Sequence, residues 1–227
     1  MNNLFFSLLA GHLIADFWFQ PASWVASKKD NGWKSKQLIL HTLIAAVLPV
    51  LFTLQPTIWW FVPVIFLTHY LIDILKSFFK ESILSFLIDQ SLHIGILWIL
   101  ATFFTEATVP NQFVLFWIYV CGFVLVTNPM GILTGMFLKS IIKTKSHSIK
   151  PDASAWIGIM ERILIVIFIT NGQLQAIGFL VAAKSVFRFS ETQKDGNQKA
   201  EYFLLGTLVS FTLAIVVGLG IKYLITN

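Results

Sequence analysis

The sequence predicts an all-α fold, a polytopic transmembrane helical bundle of about eight spans (seven or eight). Three observations predict it. Of 227 residues, 56% are hydrophobic and only 12% are charged, against about 25% charged in soluble domains, so the chain cannot supply a soluble domain's polar surface. The apolar residues are gathered into runs, several near the length of about 20 residues that crosses a hydrocarbon core. The Lys and Arg residues fall almost entirely in the short connections between those runs.

The first span is expected at 4–25 and carries His12, Asp16 and Gln20. The stretch Met1-Asn2-Asn3-Leu4 ahead of it lacks the basic region of a signal peptide, so the run is expected to stay in the mature protein. The second span, 38–54, carries His41. Pro56 fits the tight turn into the third span, 58–79, which holds His69, Asp73 and Lys76. The fourth, 83–104, holds Asp89, Gln90 and His93. Pro110 precedes the fifth, 112–138, where Asn128-Pro129 should kink or break the helix, because proline lacks the amide hydrogen its turn requires. Gly131 and Gly135 follow at a spacing that permits close helix contact. The sixth and seventh spans, 154–170 and 174–190, are joined by a turn at Asn171-Gly172, and the eighth covers 200–224. Trp59, Trp60 and Phe61 read as an outer aromatic belt and Phe17, Trp18 and Phe19 as an inner one. The chain reads as one integral membrane domain over 1–227, in two helical halves, 1–110 and 111–227, the second with a basic loop at 139–152.

Thirteen of the 16 Lys and Arg residues lie on odd-numbered connections and none on even-numbered ones. The positive-inside rule then puts the odd connections in the cytoplasm and both termini outside. The net charge of +5 points to anionic headgroups of the lipid bilayer rather than to nucleic acid. The basic loop, with His147 in it, is simplest as an anchor against those headgroups. The single cysteine, Cys121, excludes internal disulfides and cysteine-based zinc sites and reads as a small buried hydrophobe.

A charge at mid-bilayer costs about 2.5–3.5 kcal/mol on insertion scales, so intramembrane ionisable groups must face protein or water. His12/Asp16, His69/Asp73 and Asp89/His93 are each four residues apart, which puts each pair on one helix face. The order reverses on the fourth span, where the helix direction reverses. All three pairs therefore place histidine deeper and aspartate nearer the cytoplasm, with His41 at similar depth. Imidazole and carboxylate are the usual ligands of zinc, manganese or iron, and a metal-bound water is a ready nucleophile. His12, His41, His69, Asp73 and His93 are the expected ligands of a divalent metal. Asp16 and Asp89 are expected as ligands or as carboxylates orienting the imidazoles, with catalytic roles, and Lys76 as a cation for substrate or a snorkelling lysine. Gln20 and Gln90 are expected near the substrate. In the second half, Lys184 and Arg188 share a face. With Arg162 they could bind a phosphate, or Glu161 and Glu201 could take them as ion-pair partners. Thr207 and Ser210 are expected to bond helix backbone.

The motifs His12-x3-Asp16-Phe17-x2-Gln20, His69-x3-Asp73-x2-Lys76 and Asp89-Gln90-x2-His93 resemble those of a bacterial family of multi-pass membrane proteins with no assigned activity. Gly158-Ile159-Met160-Glu161-Arg162, Ala183-Lys184-Ser185 and Glu201-Tyr202 resemble segments of its longer members. The resemblance implies a bacterial inner-membrane protein. More distantly, the chain is similar in style to membrane-bound metal-dependent hydrolases. The function expected is hydrolysis of a lipid-linked or amphipathic substrate at the cytoplasmic leaflet. Two other readings use the same residues: an ion- or proton-coupled transporter, and a non-catalytic scaffold whose buried His/Asp pairs only join helices.

Overall fold

The computed structural model describes residues 3–103, 111–141, 153–195 and 197–226, and side chains there apart from residues 3, 111–112, 153–154, 187–200 and 202. Among the described residues every regular element is helical, and there are no strands. The chain forms two compact units, Met1–Val124 and Leu125–Asn227.

In the first unit, α1 is Asn3–Phe17 and α2 is Ala22–Asn31. The expected first span is thus two helices. Pro21 separates them: it has no amide hydrogen to donate and disfavours helical geometry at Gln20 before it. α1 has 15 residues, a rise of about 22 Å. Gly32, at φ +53°, ends α2, and a short 3₁₀ turn leads to α3, Lys36–Thr53. Ser35 caps α3 by accepting from the Leu38 amide at 3.3 Å, satisfying one of the orphan donors of the first turn. A turn at Pro56–Ile58 leads to α4, Phe61–Ser77, then α5, Ile83–Phe103, and α6, Asn111–Val126.

The second unit holds α7, Asn128–Ile141, α8, Ala153–Thr170, α9, Leu174–Asp195, and α10, Asn197–Thr226. The expected fifth span breaks at Thr127, immediately before Asn128-Pro129. Asn171-Gly172 forms the turn between α8 and α9, with Gly172 at φ +75°. A Cβ at Gly131 would meet the Arg162 guanidinium and one at Gly135 would meet open space, so that pair does not bring two helices together. Pro110, Lys143, Lys145, His147 and Lys150 lie outside the described residues.

Four segments are long and apolar enough to cross a membrane: Lys36–Thr53, Ile83–Phe103, Phe113–Ile141 and Phe203–Thr226. Leu4–Phe17 and Leu174–Val186 are apolar but shorter. Large apolar side chains are exposed in stripes as well as buried in the core, and ionisable groups lie inside. Leu67, Leu71 and Leu75 form an exposed stripe on α4, and Leu84, Ile88 and Leu92 one on α5, whereas His12, His41, His69, Asp89 and His93 are buried. Contiguous exposed apolar surface of this kind suits contact with lipid. Of the aromatic belts, Trp59, Trp60, Trp18 and Phe19 are exposed, but Phe61 is fully buried in the core and Phe17 packs on Phe86, ring centres 6.1 Å apart.

Candidate metal centre

The centre is built on columns of residues four apart. Leu4, Leu8, His12 and Asp16 follow one another on α1, and Phe61, Ile65, His69 and Asp73 on α4. On α5 the order runs Asp89, His93, Leu97, Ala101. Side chains three or four apart share a helix face, so each helix presents an apolar end and a His/Asp end to the same interior. The apolar ends meet in one cluster with Ala46 and Val50 of α3. Burying that cluster holds the four helices together and fixes the depth at which the polar ends meet.

There the imidazoles converge. His41 Nε2 lies 3.1 Å from His69 Nε2. The His69 and His93 rings stack at 3.9 Å, and His12 sits 5.3 Å from His93 and 5.6 Å from His69, ring centre to ring centre. Asp16 Oδ1 is 3.7 Å from His12 Nδ1, 3.5 Å from His41 Nε2 and 3.6 Å from His69 Nε2. Asp73 Oδ1 is 3.7 Å from His93 Nε2, and Asp89 Oδ1 is 3.5 Å from the same nitrogen. Gln90 Nε2 donates to Asp16 Oδ2 and Asp89 Oδ2, both at 3.2 Å, and so bridges α1 and α5.

Two cations close the far side. Lys76 bonds Asp89 Oδ2 at 2.6 Å, and Lys28 of α2 bonds Asp73 Oδ2. Lys28 stood in the sequence only as a loop charge. It is delivered because the α2 segment is tied down: Ser27 donates to Gln37 at 2.8 Å, and Tyr70 donates to the Trp33 carbonyl at 3.0 Å. Pro21 was the available signal, since it ends the first span early and returns the next ten residues toward the bundle. Gln20 is half-buried in the break between α1 and α2 and makes none of these contacts among the described residues.

The donor set suits a divalent ion. His12 Nε2, Asp16 Oδ1, Asp89 Oδ1, Gln90 Oε1 and His93 Nε2 are buried and make no hydrogen bond among the described residues, an expense that native interiors rarely leave uncompensated. His41 Nε2, His69 Nε2 and Asp16 Oδ1 form a triangle with edges of 3.1, 3.5 and 3.6 Å. The centre of such a triangle lies about 2 Å from each corner, the length of a zinc bond to nitrogen or carboxylate oxygen. Asp16 Oδ1 is thus one corner of that triangle. Three triads, His12/Asp16/His69, His41/His69/Asp73 and Asp73/Asp89/His93, also keep their ligand atoms within 4.8 Å of one another.

Residues 4–120 match the model of a family described as protein of unknown function, DUF3307. The chain belongs to that family. No curated protein and no solved structure matches it. The DUF3307 segment contains all four histidines, the three aspartates, Gln90 and both lysines of the cluster.

In the second unit the expected anion-binding residues have other partners. Arg162, buried within the helices, donates from Nε to the Val126 carbonyl, from one terminal nitrogen to Ser210 Oγ at 3.0 Å, and from the other to the Thr127 carbonyl at 3.0 Å. It thus satisfies carbonyls at the broken end of α6, and Ser210 accepts from Arg162. Lys184 pairs with Glu161 and lies over the Phe211 ring at 5.3 Å. Glu201 is exposed, and the Arg188 and Tyr202 side chains lie outside the described residues. Cys121 is buried, with its thiol 3.5 Å from the Phe6 carbonyl.

Proposed function

We propose that the first unit is a membrane-embedded metal-dependent hydrolase that cleaves a lipid-linked or amphipathic substrate at the cytoplasmic leaflet. The observation carrying this reading is the triangle of His41 Nε2, His69 Nε2 and Asp16 Oδ1, sized for one divalent ion, the two nitrogens sharing a 3.1 Å hydrogen bond and Asp16 Oδ1 having none among the described residues. Zinc, manganese or iron suits imidazole with carboxylate. The ion would supply Lewis acidity and a bound water whose proton is lost near neutral pH.

His41, His69 and Asp16 would hold the ion, with His12 or Asp73 as a further ligand. Asp89 holds Oδ2 on Lys76 and Gln90, and its Oδ1, 3.5 Å from His93 Nε2, would accept the proton of the attacking water. The positive-inside pattern, extended over eight spans with both termini outside, puts the aspartate ends of the columns and both lysines near the inner leaflet. An amphipathic substrate reaches that depth from the lipid side. The resemblance in style to metal-dependent membrane hydrolases points the same way.

Metal analysis tests the reading. Protein purified without an affinity tag is expected to carry about one divalent ion per chain, to lose it in His41→Ala and His69→Ala, and to melt at lower temperature after chelation. Metal-free protein whose melting is indifferent to chelators would leave the cluster as polar packing between helices.

A further inference from the structure

We propose that Lys28 and Lys76 together recognise a phosphate group, so that the substrate is a phosphate ester; this rests on the metal reading and assigns its substrate class. The geometry divides the carboxylates. Oδ1 of Asp73 and Oδ1 of Asp89 face the imidazoles, at 3.7 and 3.5 Å from His93 Nε2. Oδ2 of each faces an ammonium, Lys28 on Asp73 and Lys76 on Asp89. Among the described residues, His41 Nε2, at 3.8 Å from Asp73 Oδ2, touches both sides of this division. The two aspartates share a ligand triad with His93 whose atoms lie within 4.8 Å of one another, so the two ammoniums flank a single small patch.

Lys76 is the most open member of that patch: its side chain is 39% exposed, against 13% for Lys28, 10% for Asp73, 4% for Asp89 and 3% for His93. Each ammonium has three donors, so each can hold its carboxylate and a substrate oxygen together.

Charge selects the ligand. Lys28, Lys76 and a divalent ion would be three cationic centres around the Asp73/Asp89/His93 patch, more than the single carbonyl oxygen of a carboxylic ester or an amide can meet. A phosphate ester brings negative charge and enough oxygens to meet the ion and both ammoniums. In its hydrolysis, water's hydroxyl adds to phosphorus, the P–O bond to the lipid alcohol breaks, and the alcohol leaves with water's other proton. No oxidant or additional reactant is needed.

The test uses the full chain in phosphatidylcholine nanodiscs loaded with zinc. Binding is measured with inorganic phosphate by calorimetry, and separately in nanodiscs containing phosphatidic acid, by competition with inorganic phosphate. Saturable phosphate binding is expected. Lys28→Met and Lys76→Met are each expected to weaken it by on the order of tenfold, the effect of losing one hydrogen bond to a charged group, with zinc content unchanged. Lys76→Arg, which keeps the charge, is expected to stay within about threefold of the parent. Competition by phosphatidic acid identifies a lipid headgroup as the source, and binding of inorganic phosphate alone identifies the free ion; both support the assignment. Zinc-loaded protein that binds neither probe overturns it while leaving the metal reading intact. Protein that takes up no zinc overturns the metal reading beneath it. Zinc lost together with phosphate in both methionine variants would make the lysines supports of the cluster's fold, which also overturns the assignment.

Discussion

At the scale of single residues, a charge inside a membrane protein is explained by what it bonds. Arg162 carries the feature expected of a substrate-binding residue, a guanidinium fork inside a span. The structure gives its donors to the Val126 and Thr127 carbonyls and to Ser210. The break before Asn128-Pro129 frees carbonyls that no lipid can satisfy, and Arg162 meets them from α8. Arg162→Met is expected to strand the Val126 carbonyl, while that of Thr127 keeps the Gly131 amide at 3.3 Å, and to destabilise the protein by roughly 1–3 kcal/mol, the cost of one unsatisfied buried group. Thermal unfolding in detergent measures it. A variant as stable as the parent would mean that water reaches the break. The residue type was legible in the sequence, but its task was not, because the task belongs to a backbone defect 36 positions away.

At the scale of elements, the helix runs of the first unit were legible because hydrophobic length and the four-residue spacing of histidine and aspartate are local properties. The convergence of His12, His41, His69 and His93 follows from them once four helices must bury their apolar ends together. Two features were not legible. α2 is too short and polar to register as a span, so Lys28 passed for a loop charge. The crossing of α1 and α3 is set by Gly11, where a Cβ would lie 2.4 Å from Pro49 Cα and 2.6 Å from Pro49 N. Nothing near Gly11 in sequence announces Pro49. Both contacts are backbone, so the helices can relieve them only by separating. Gly11→Ala is expected to cost roughly 1–3 kcal/mol or more as overpacking. It should also widen the spacing between Asp16 on α1 and His41 on α3, so bound metal should fall with the melting temperature. Normal metal content in that variant would show that the α1–α3 crossing does not set the centre's geometry.

At the scale of the whole molecule, the DUF3307 match over residues 4–120 nearly coincides with the compact unit Met1–Val124. The segment that defines the family is therefore the one that builds the His/Asp centre. The exposed leucine stripes of α4 and α5, with buried imidazoles behind them, suit an apolar surrounding such as lipid. Which leaflet the aspartate ends face is a separate matter, decided by the lysines of the connections. Those lysines predict that Asn31 lies on the cytoplasmic side and the Asn171–Gln173 turn on the other. In a Cys121→Ser background, Asn31→Cys should react with a membrane-impermeant maleimide only in inverted vesicles, and Gln173→Cys in intact cells. Both positions are exposed, so reagent access will report sidedness rather than burial. Labelling of Asn31→Cys from outside would place Lys28, Lys76 and the mouth of the centre at the outer leaflet, and any substrate would then have to be an outer-leaflet lipid.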